Sequence, residues 1–357
     1  MALRRMQVTD FRCLHQADLE LDSRFTLIRG PNASGKTSLL EAIYVLGRGR
    51  SFRTRRVDQL IRSGAERLVV FGESEGPVRR CTLGIEISHD GVKAQIDGDR
   101  VRSLAELSAA LPVQVIDPEV HRLIEEGPSR RRRFLDWGVF HVEPGFVSHW
   151  QKYHQILRQR NAALRAGQSK SMVGIWDGEL GRYASLVSEA RSRYVKLLAP
   201  TAAKVAATLL GLELTLSYRA GWLRELEFPQ ALERSWQHDH ELGATQVGPQ
   251  RAELTIKLDG IAARDRVSRG QQKLLAAALL LSQIKLFRED ANVAPTLLLD
   301  DPAAELDIDH LAAFILEVRA QPLQLVVTTL SKDLTEFGAF GNPGRRYRVE
   351  AGAISPD

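Results

Sequence analysis

The sequence predicts an α/β protein. A mixed sheet is assembled from both ends of the chain, with an antiparallel β meander beside it and a helical lobe inserted between. Three observations predict this. Short apolar runs that read as buried strands stand near both ends: "RFTLIRG" (24–30), then "APTLLLDD" (294–301) and "LQLVVTTLS" (323–331). Residues 67–101 alternate apolar and polar, and residues 129–210 carry helical spacing with few turn signals.

Taken in order, the first 50 residues read strand, strand, strand, loop, helix. In "KTSLLEAIYVLG" (36–47), Leu39, Leu40, Ile43 and Leu46 fall at helical spacing. Leu83, Ile85 and Ile87 lead into the turn "HDG". Val92, Ala94 and Ile96 then lead into "DGD", which gives the meander. After the helical stretch come a strand-like piece, "LELTLSY", and a helix near 225–241. From 252 the chain returns to strand, loop and helix. No heptad array is long enough for an extended coiled coil. Three segments are expected: 1–112 and 291–357 as the two parts of one lobe, and 113–290 as a mainly helical second lobe.

Composition narrows the class. The 357 residues are 44% hydrophobic, ample for a large core, and the net charge of +5 permits a polyanionic partner without demanding one. Cys13 and Cys81 are far apart and form no CxxC pair, so neither a zinc site nor a disulfide framework is expected. The start, "MALRRMQVTD", has no apolar stretch behind its arginines and does not read as a signal peptide. The longest apolar run, "LLAAALLL" (274–281), is far short of the roughly 20 residues a bilayer requires. The expectation is a soluble, cytoplasmic protein without a membrane partner.

The chemistry begins at "GPNASGKT", which fits G-x-x-x-x-G-K-S/T: Gly30, Pro31, Asn32, Ala33, Ser34, Gly35, Lys36, Thr37. Glycines let the backbone wrap around phosphates so that its N–H groups point inward, and the following helix adds its positive end. Lys36 is expected on the β and γ phosphates and Thr37 on Mg²⁺. "TLLLDDPAAELD" (296–307) supplies acids. Asp300, at a strand's end, is placed to hold Mg²⁺, and Asp301 to orient or deprotonate an attacking water. ATP and Mg²⁺ are the cofactors this implies.

Between these stretches lies "SRGQQK" (268–273), which opens a strongly apolar helix. Ser268 reads as an N-cap in any case, and a serine with free N–H groups at a helix start also makes an anion site. The order of phosphate loop, serine-glycine-glutamine helix start, strand ending in Asp, then "AAELD" resembles the ABC ATPase class. The resemblance implies that Ser268, Arg269, Gly270, Gln271 and Asp307 act in trans, on nucleotide held by the other protomer of an ATP-dependent homodimer. Membrane-transporter ATPases of that class place the stretch much nearer the phosphate loop. They carry a histidine after the second apolar strand, where this chain has Thr328 and Thr329. No NKxD guanine motif is present, and a small-substrate kinase would leave "SRGQQK" without a role.

"LRRMQVTDFRCLHQADLEL", directly before the phosphate loop, resembles the start of SMC-like DNA-repair ATPases. With "LEAIYVLGRGRSFRT" (40–54), "RRRRFLDWGVFHVEPGF" (130–146) and "QRNAAL" (159–164), the chain resembles the RecF family of bacterial recombination mediators over essentially its whole length. That implies a P-loop ABC-type ATPase head. It implies an approach of Arg12 to the nucleotide phosphates and weak, DNA-dependent ATP hydrolysis. It also implies binding to duplex DNA and to junctions at single-stranded gaps, with help from RecR and RecO in loading RecA. Some positions depart from the family pattern: Gln250 and Glu253 replace His and Asp, and Pro302 and Ala304 replace Phe and Ser. The Gln-loop counterpart is Gln114 or Glu119 of "VQVIDPEV". Two arginine clusters suit DNA phosphates: Arg48, Arg50, Arg53, Arg55 and Arg56, and Arg130, Arg131, Arg132 and Arg133. No base-reading helix is evident, so structure-selective binding is expected.

Overall fold

Helix α1 (Lys36–Arg48) organises the first of two units. Leu39, Leu40, Ala42, Ile43, Val45 and Leu46 are fully buried and point to more than one side, so the helix must be covered on both. Two sheets cover it. The computed structural model describes residues 2–76, 80–291, 295–302, 308–321, 323–330 and 341–357.

The first sheet is the expected meander: β1 (Ala2–Phe11), β2 (Leu14–Glu20), β4 (Arg67–Glu75), β5 (Arg80–Ser88), β6 (Gly91–Ile96) and β7 (Asp99–Arg100). All its pairs are antiparallel, in the order β2-β1-β4-β5-β6-β7. The second sheet takes strands from both ends of the chain. It contains β3 (Phe25–Arg29), β8 (Val113–Ile116), β12 (Thr296–Asp300), β13 (Gln324–Thr329), β14 (Arg345–Glu350) and β15 (Ala353–Pro356). Its order is β15-β14-β3-β13-β12-β8, parallel except for the β14–β15 edge. β12 and β13 are buried on both faces, and each has an apolar centre, Leu297–Leu299 and Leu325–Val327. Helices α2 (Leu104–Ala110) and α11 (Ile308–Arg319) also belong to this unit. The buried Gln324 side chain bonds the Leu3 N–H (2.8 Å) and the carbonyls of Leu3 (2.7 Å) and Asp22 (2.9 Å), joining the first strand of the chain to the second sheet.

The second unit spans His121–Ala291. The expected division at 112/113 falls too early. β8 pairs in parallel with β12, so 113–120 stay with the first unit. The lobe contains α3 (Arg122–Glu125), α4 (Pro128–Val142), α5 (Phe146–Arg165), α6 (Lys170–Gly174), α7 (Asp177–Leu210), α8 (Phe228–Leu242), α9 (Ala263–Arg266) and α10 (Arg269–Ala291). A small antiparallel sheet is formed by β9 (Leu214–Arg219), β10 (Glu253–Leu258) and β11 (Ile261–Ala262). The long α7 packs against α4, α5, α8 and α10, so it folds back into its own lobe. In α10 every residue from Leu274 to Ile284 is buried, which explains its all-round apolar composition.

Two buried arginines hold this lobe. Arg160 is fully buried and bonds Asp177, Asp239 and the Thr245 hydroxyl, each at 2.8 Å, while Asn161 accepts from Thr245. Arg191 grips Asp136 at 2.8 and 3.0 Å and the Pro249 carbonyl at 2.7 Å. Removing one partner of such a pair typically costs about 3–5 kcal/mol. The stretches "QRNAAL" and "RRRRFLDW" thus owe part of their pattern to internal pairing. Gln250 has the same character: it accepts from the Tyr153 hydroxyl and donates to the carbonyls of Thr245 (3.1 Å) and Val247 (2.9 Å).

Candidate nucleotide site

β3 ends at Arg29, and the loop 30–35 turns the chain into α1. Two glycines are required by the geometry. At Gly30 a Cβ would lie 2.2 Å from the Val349 carbonyl oxygen of β14. Gly35, with φ of 114°, caps α1 in a conformation that L side chains avoid, and a Cβ there would press on Leu14 and Cys13. Lys36 arches back over the loop, and its Nζ donates to the carbonyls of Gly30 (2.7 Å) and Pro31 (2.8 Å). Burial pushes the Lys36 ammonium below the usual lysine range, against the pull of Asp301 and Asp300.

β12 delivers Asp300 to the same place. The Thr37 hydroxyl donates to its two oxygens at 3.0 and 2.9 Å. Thr328 of β13, fully buried, donates to Asp300 Oδ1 at 2.8 Å, and its side chain and carbonyl both receive the Asp301 N–H. Asp301 has φ of 50°, a costly conformation for a non-glycine residue, held by these bonds. An open cavity of about 390 Å³ is lined by Cys13, Asn32–Ser38, Arg53, Pro118, Asp300 and Asp301. The Ser34 hydroxyl is buried here with no hydrogen-bond partner among the described residues. An orphaned donor of this kind costs about 1–3 kcal/mol until something supplies an acceptor. The loop's shape and that orphan fit a phosphate. Thr37 and Asp300 are hard oxygen ligands suited to Mg²⁺ shared with phosphates. Among the described residues no group of three or more His, Cys, Asp or Glu is placed to hold a metal ion.

Several expected residues lie elsewhere. Arg12, expected at the phosphates, does not line the cavity; its Nε and Nη2 hold the buried Glu41 carboxylate at 3.0 and 2.9 Å. Arg53, expected on DNA, lines the cavity and reaches Glu41 at 3.5 Å. From the sequence alone Glu41 has no role, and the bond from Thr328 to Asp300 is not foreseen. A lone carboxylate within the apolar helix "KTSLLEAIYVLG" was the available signal, because a buried charge needs a partner.

The arginine clusters separate in the same way. Arg48 is half-buried over the Tyr44 ring, and burial pushes its guanidinium down to about 10. Arg56 pairs with Asp58 at 2.7 Å. Arg50 and Arg55 are exposed, with no ion-pair partner among the described residues. In the second cluster Arg131 pairs with Glu253 (2.7 and 3.0 Å), Arg132 donates to the Ala252 carbonyl (2.9 Å), Arg130 pairs with Glu126, and Arg133 donates to the Ser129 carbonyl (3.4 Å). Arg131 and Arg132 tie α4 to the start of β10, the Glu253 departure supplying one of these ties, whereas Arg130 and Arg133 bond groups four residues earlier.

In the second unit the start of α10 is a reciprocal cap. The Ser268 hydroxyl accepts from the Gln271 N–H (3.4 Å), and Gln271 Oε1 accepts from the Ser268 N–H (3.1 Å). Arg269 donates to Nε2 of the buried His121 at 3.0 Å. Gly270 is exposed, and a Cβ there would meet nothing within 4 Å. Asp307 lies outside the described residues.

The sequence pattern described as "RecF/RecN/SMC N terminal domain" matches residues 2–339. "DNA replication and repair protein RecF" of Yersinia pseudotuberculosis serotype O:1b (strain IP 31758) is 38% identical over 99% of this chain and 98% of its own length. The chain belongs to the RecF family. The RecF of Yersinia enterocolitica serotype O:8 / biotype 1B (strain NCTC 13174 / 8081) is 39% identical over the same shares. A solved structure described as the recombination mediator protein RecF-ATP in the RecFOR pathway has a TM-score of 0.91 and 26% identity, covering 100% of this chain and 97% of that one. An Smc head bound to the C-winged helix domain of ScpA, at 17% identity and a TM-score of 0.59, shares the fold. The α/β architecture is therefore that of RecF and of SMC-type ATPase heads. No helix among the described residues is long and apolar enough to cross a membrane.

Proposed function

We propose that this RecF-family chain is an ATP-gated DNA clamp of recombinational repair and replication, working in the cytoplasm. It binds ATP with Mg²⁺, dimerises on it and hydrolyses it slowly. The observation that carries this reading is the direct bond from Thr37 to Asp300, at 2.9 Å, between the phosphate loop and the acidic strand. Thr37 and Asp300 would hold Mg²⁺, whose charge offsets that of the phosphates. Lys36, the loop N–H groups and the Ser34 hydroxyl bind the phosphate oxygens. Asp301, on the cavity wall, accepts the proton of the attacking water.

The trans role of "SRGQQK" is supported by what Gly270 lacks. Glycine within a helix is disfavoured by up to about 1 kcal/mol relative to alanine, and nothing among the described residues comes within 4 Å of where a Cβ would stand. A close approach by another molecule, a second protomer's nucleotide, explains the choice. Asp307 joins that interface on the resemblance alone. Arg50 and Arg55 are the candidate contacts to duplex DNA and to junctions at single-stranded gaps. RecR and RecO enter as proposed partners because a similar solved structure is described as belonging to the RecFOR pathway, and RecA enters on the family resemblance alone.

The test is fluorescence anisotropy of labelled gapped duplex DNA, with ATP–Mg²⁺, with ADP and without nucleotide. Tight binding is expected only with ATP–Mg²⁺, and Lys36→Met should abolish the difference. A Lys36→Met variant that clamps DNA normally would falsify the reading.

A further inference from the structure

One buried carboxylate holds two arginines beside the nucleotide site. Glu41 sits one helical turn after Thr37, on the same side of α1, and is fully buried. It receives two bonds from Arg12 at 2.9 and 3.0 Å, one from the Ser51 hydroxyl, and one from Arg53 at 3.5 Å. Three segments meet there: the β1–β2 turn, α1 and the loop 51–54. The Ser51 hydroxyl also accepts from the N–H groups of Arg53 (2.9 Å) and Thr54 (3.0 Å), so Glu41 fixes the loop that bears Arg53.

The two arginines are held unequally. Arg12 grips Glu41 with a paired fork, and its side chain is 21% exposed. Arg53 has a single long contact, is 46% exposed and lines the phosphate-loop cavity. We infer that Glu41 is a positioning residue for nucleotide binding: a resting counter-ion that presets Arg53 at the cavity wall. When a nucleoside triphosphate enters, Arg53 exchanges its contact with Glu41 for a phosphate oxygen, while Arg12 stays and keeps the buried carboxylate neutralised. A lone buried charge would otherwise be left behind, and that is costly. The exchange replaces one charge-assisted bond with another, so little reorganisation opposes binding. The inference rests on the proposed nucleotide site.

The experiment is a double-mutant cycle of Glu41→Gln and Arg53→Ala in the full chain. Binding of ATPγS–Mg²⁺ is measured by calorimetry and melting is followed in parallel. Each single variant should weaken affinity about tenfold, and the double variant no further than the weaker single, because the two act as one unit. Melting of Arg53→Ala should stay close to wild type. Affinity losses that multiply in the double variant, or unchanged affinity in Glu41→Gln, would overturn the inference. If Glu41→Gln does not fold, Ser51→Ala loosens the same loop while keeping the buried charge. It should weaken binding severalfold, and unchanged affinity there overturns the inference equally. Lys36→Met separates the two levels: wild-type affinity in that variant sinks the nucleotide site itself, whereas its loss beside unaffected Glu41 and Arg53 variants sinks only the role of Glu41.

Discussion

Gly270 allows the proposed contact with a second protomer to be tested apart from the stability of its own chain. Its backbone does not require glycine and its surroundings leave room for a side chain. Gly270→Ala should leave the monomer as stable as wild type, or up to about 1 kcal/mol more stable. ATP-dependent dimerisation, followed by light scattering, should be lost or greatly weakened; normal dimerisation would remove the argument for a close approach at this point. At the same scale the phosphate loop was legible because its spacing encodes its geometry. Lys36, Thr37 and Asp300 meet as their residue types suggested. Glu41 with Arg12 and Arg53 was not legible. The pairing joins positions far apart in sequence, and one arginine looks like another until the fold chooses its partner.

Elements were read well where periodicity alone fixes them. The meander alternates because one face is buried, and α10 is apolar throughout because it is enclosed. The boundary between units falls at 120/121 and not at the expected 112/113, because the four-residue β8 carries too short a pattern to show its allegiance before its partner β12 is known. In α5, His154 lies against the rings of Trp150 and Tyr153, and burial pushes it down to about 4. Asp136 raises it, while Arg191 and Arg158 lower it. An unfolded histidine titrates near 6.5, so the unfolded chain takes up this proton first. The contribution of His154 to stability is therefore complete above about pH 6.5 and falls as pH drops toward 4. Urea midpoints at pH 7.5 and 5 should drop less in His154→Gln than in wild type. Equal losses would show that this histidine does not set the slope.

For the whole molecule, the mild positive charge says little about where DNA would lie, and the fold ties Arg131 and Arg132 to groups of their own lobe. Arg50 and Arg55 are exposed with no ion-pair partner among the described residues, and they are the proposed contacts. If both meet DNA phosphates, Arg50→Ala with Arg55→Ala should lower the slope of log K against log salt by about 0.9 for each phosphate no longer neutralised. An unchanged slope, measured by anisotropy over a salt series, would place the DNA elsewhere. The order of the second sheet has a consequence for synthesis. β3, which leads into the phosphate loop, is flanked by β13 and β14, and both neighbours are encoded in the last tenth of the chain. As the protein emerges from the ribosome, that apolar strand waits without partners while the entire second unit is made. A nascent or truncated chain ending near residue 290 would thus carry an open strand edge prone to misplaced pairing. Asp300 and Asp301 arrive only after the lobe that separates them in sequence from the phosphate loop is complete, so the proposed nucleotide site cannot assemble before nearly the whole polypeptide exists.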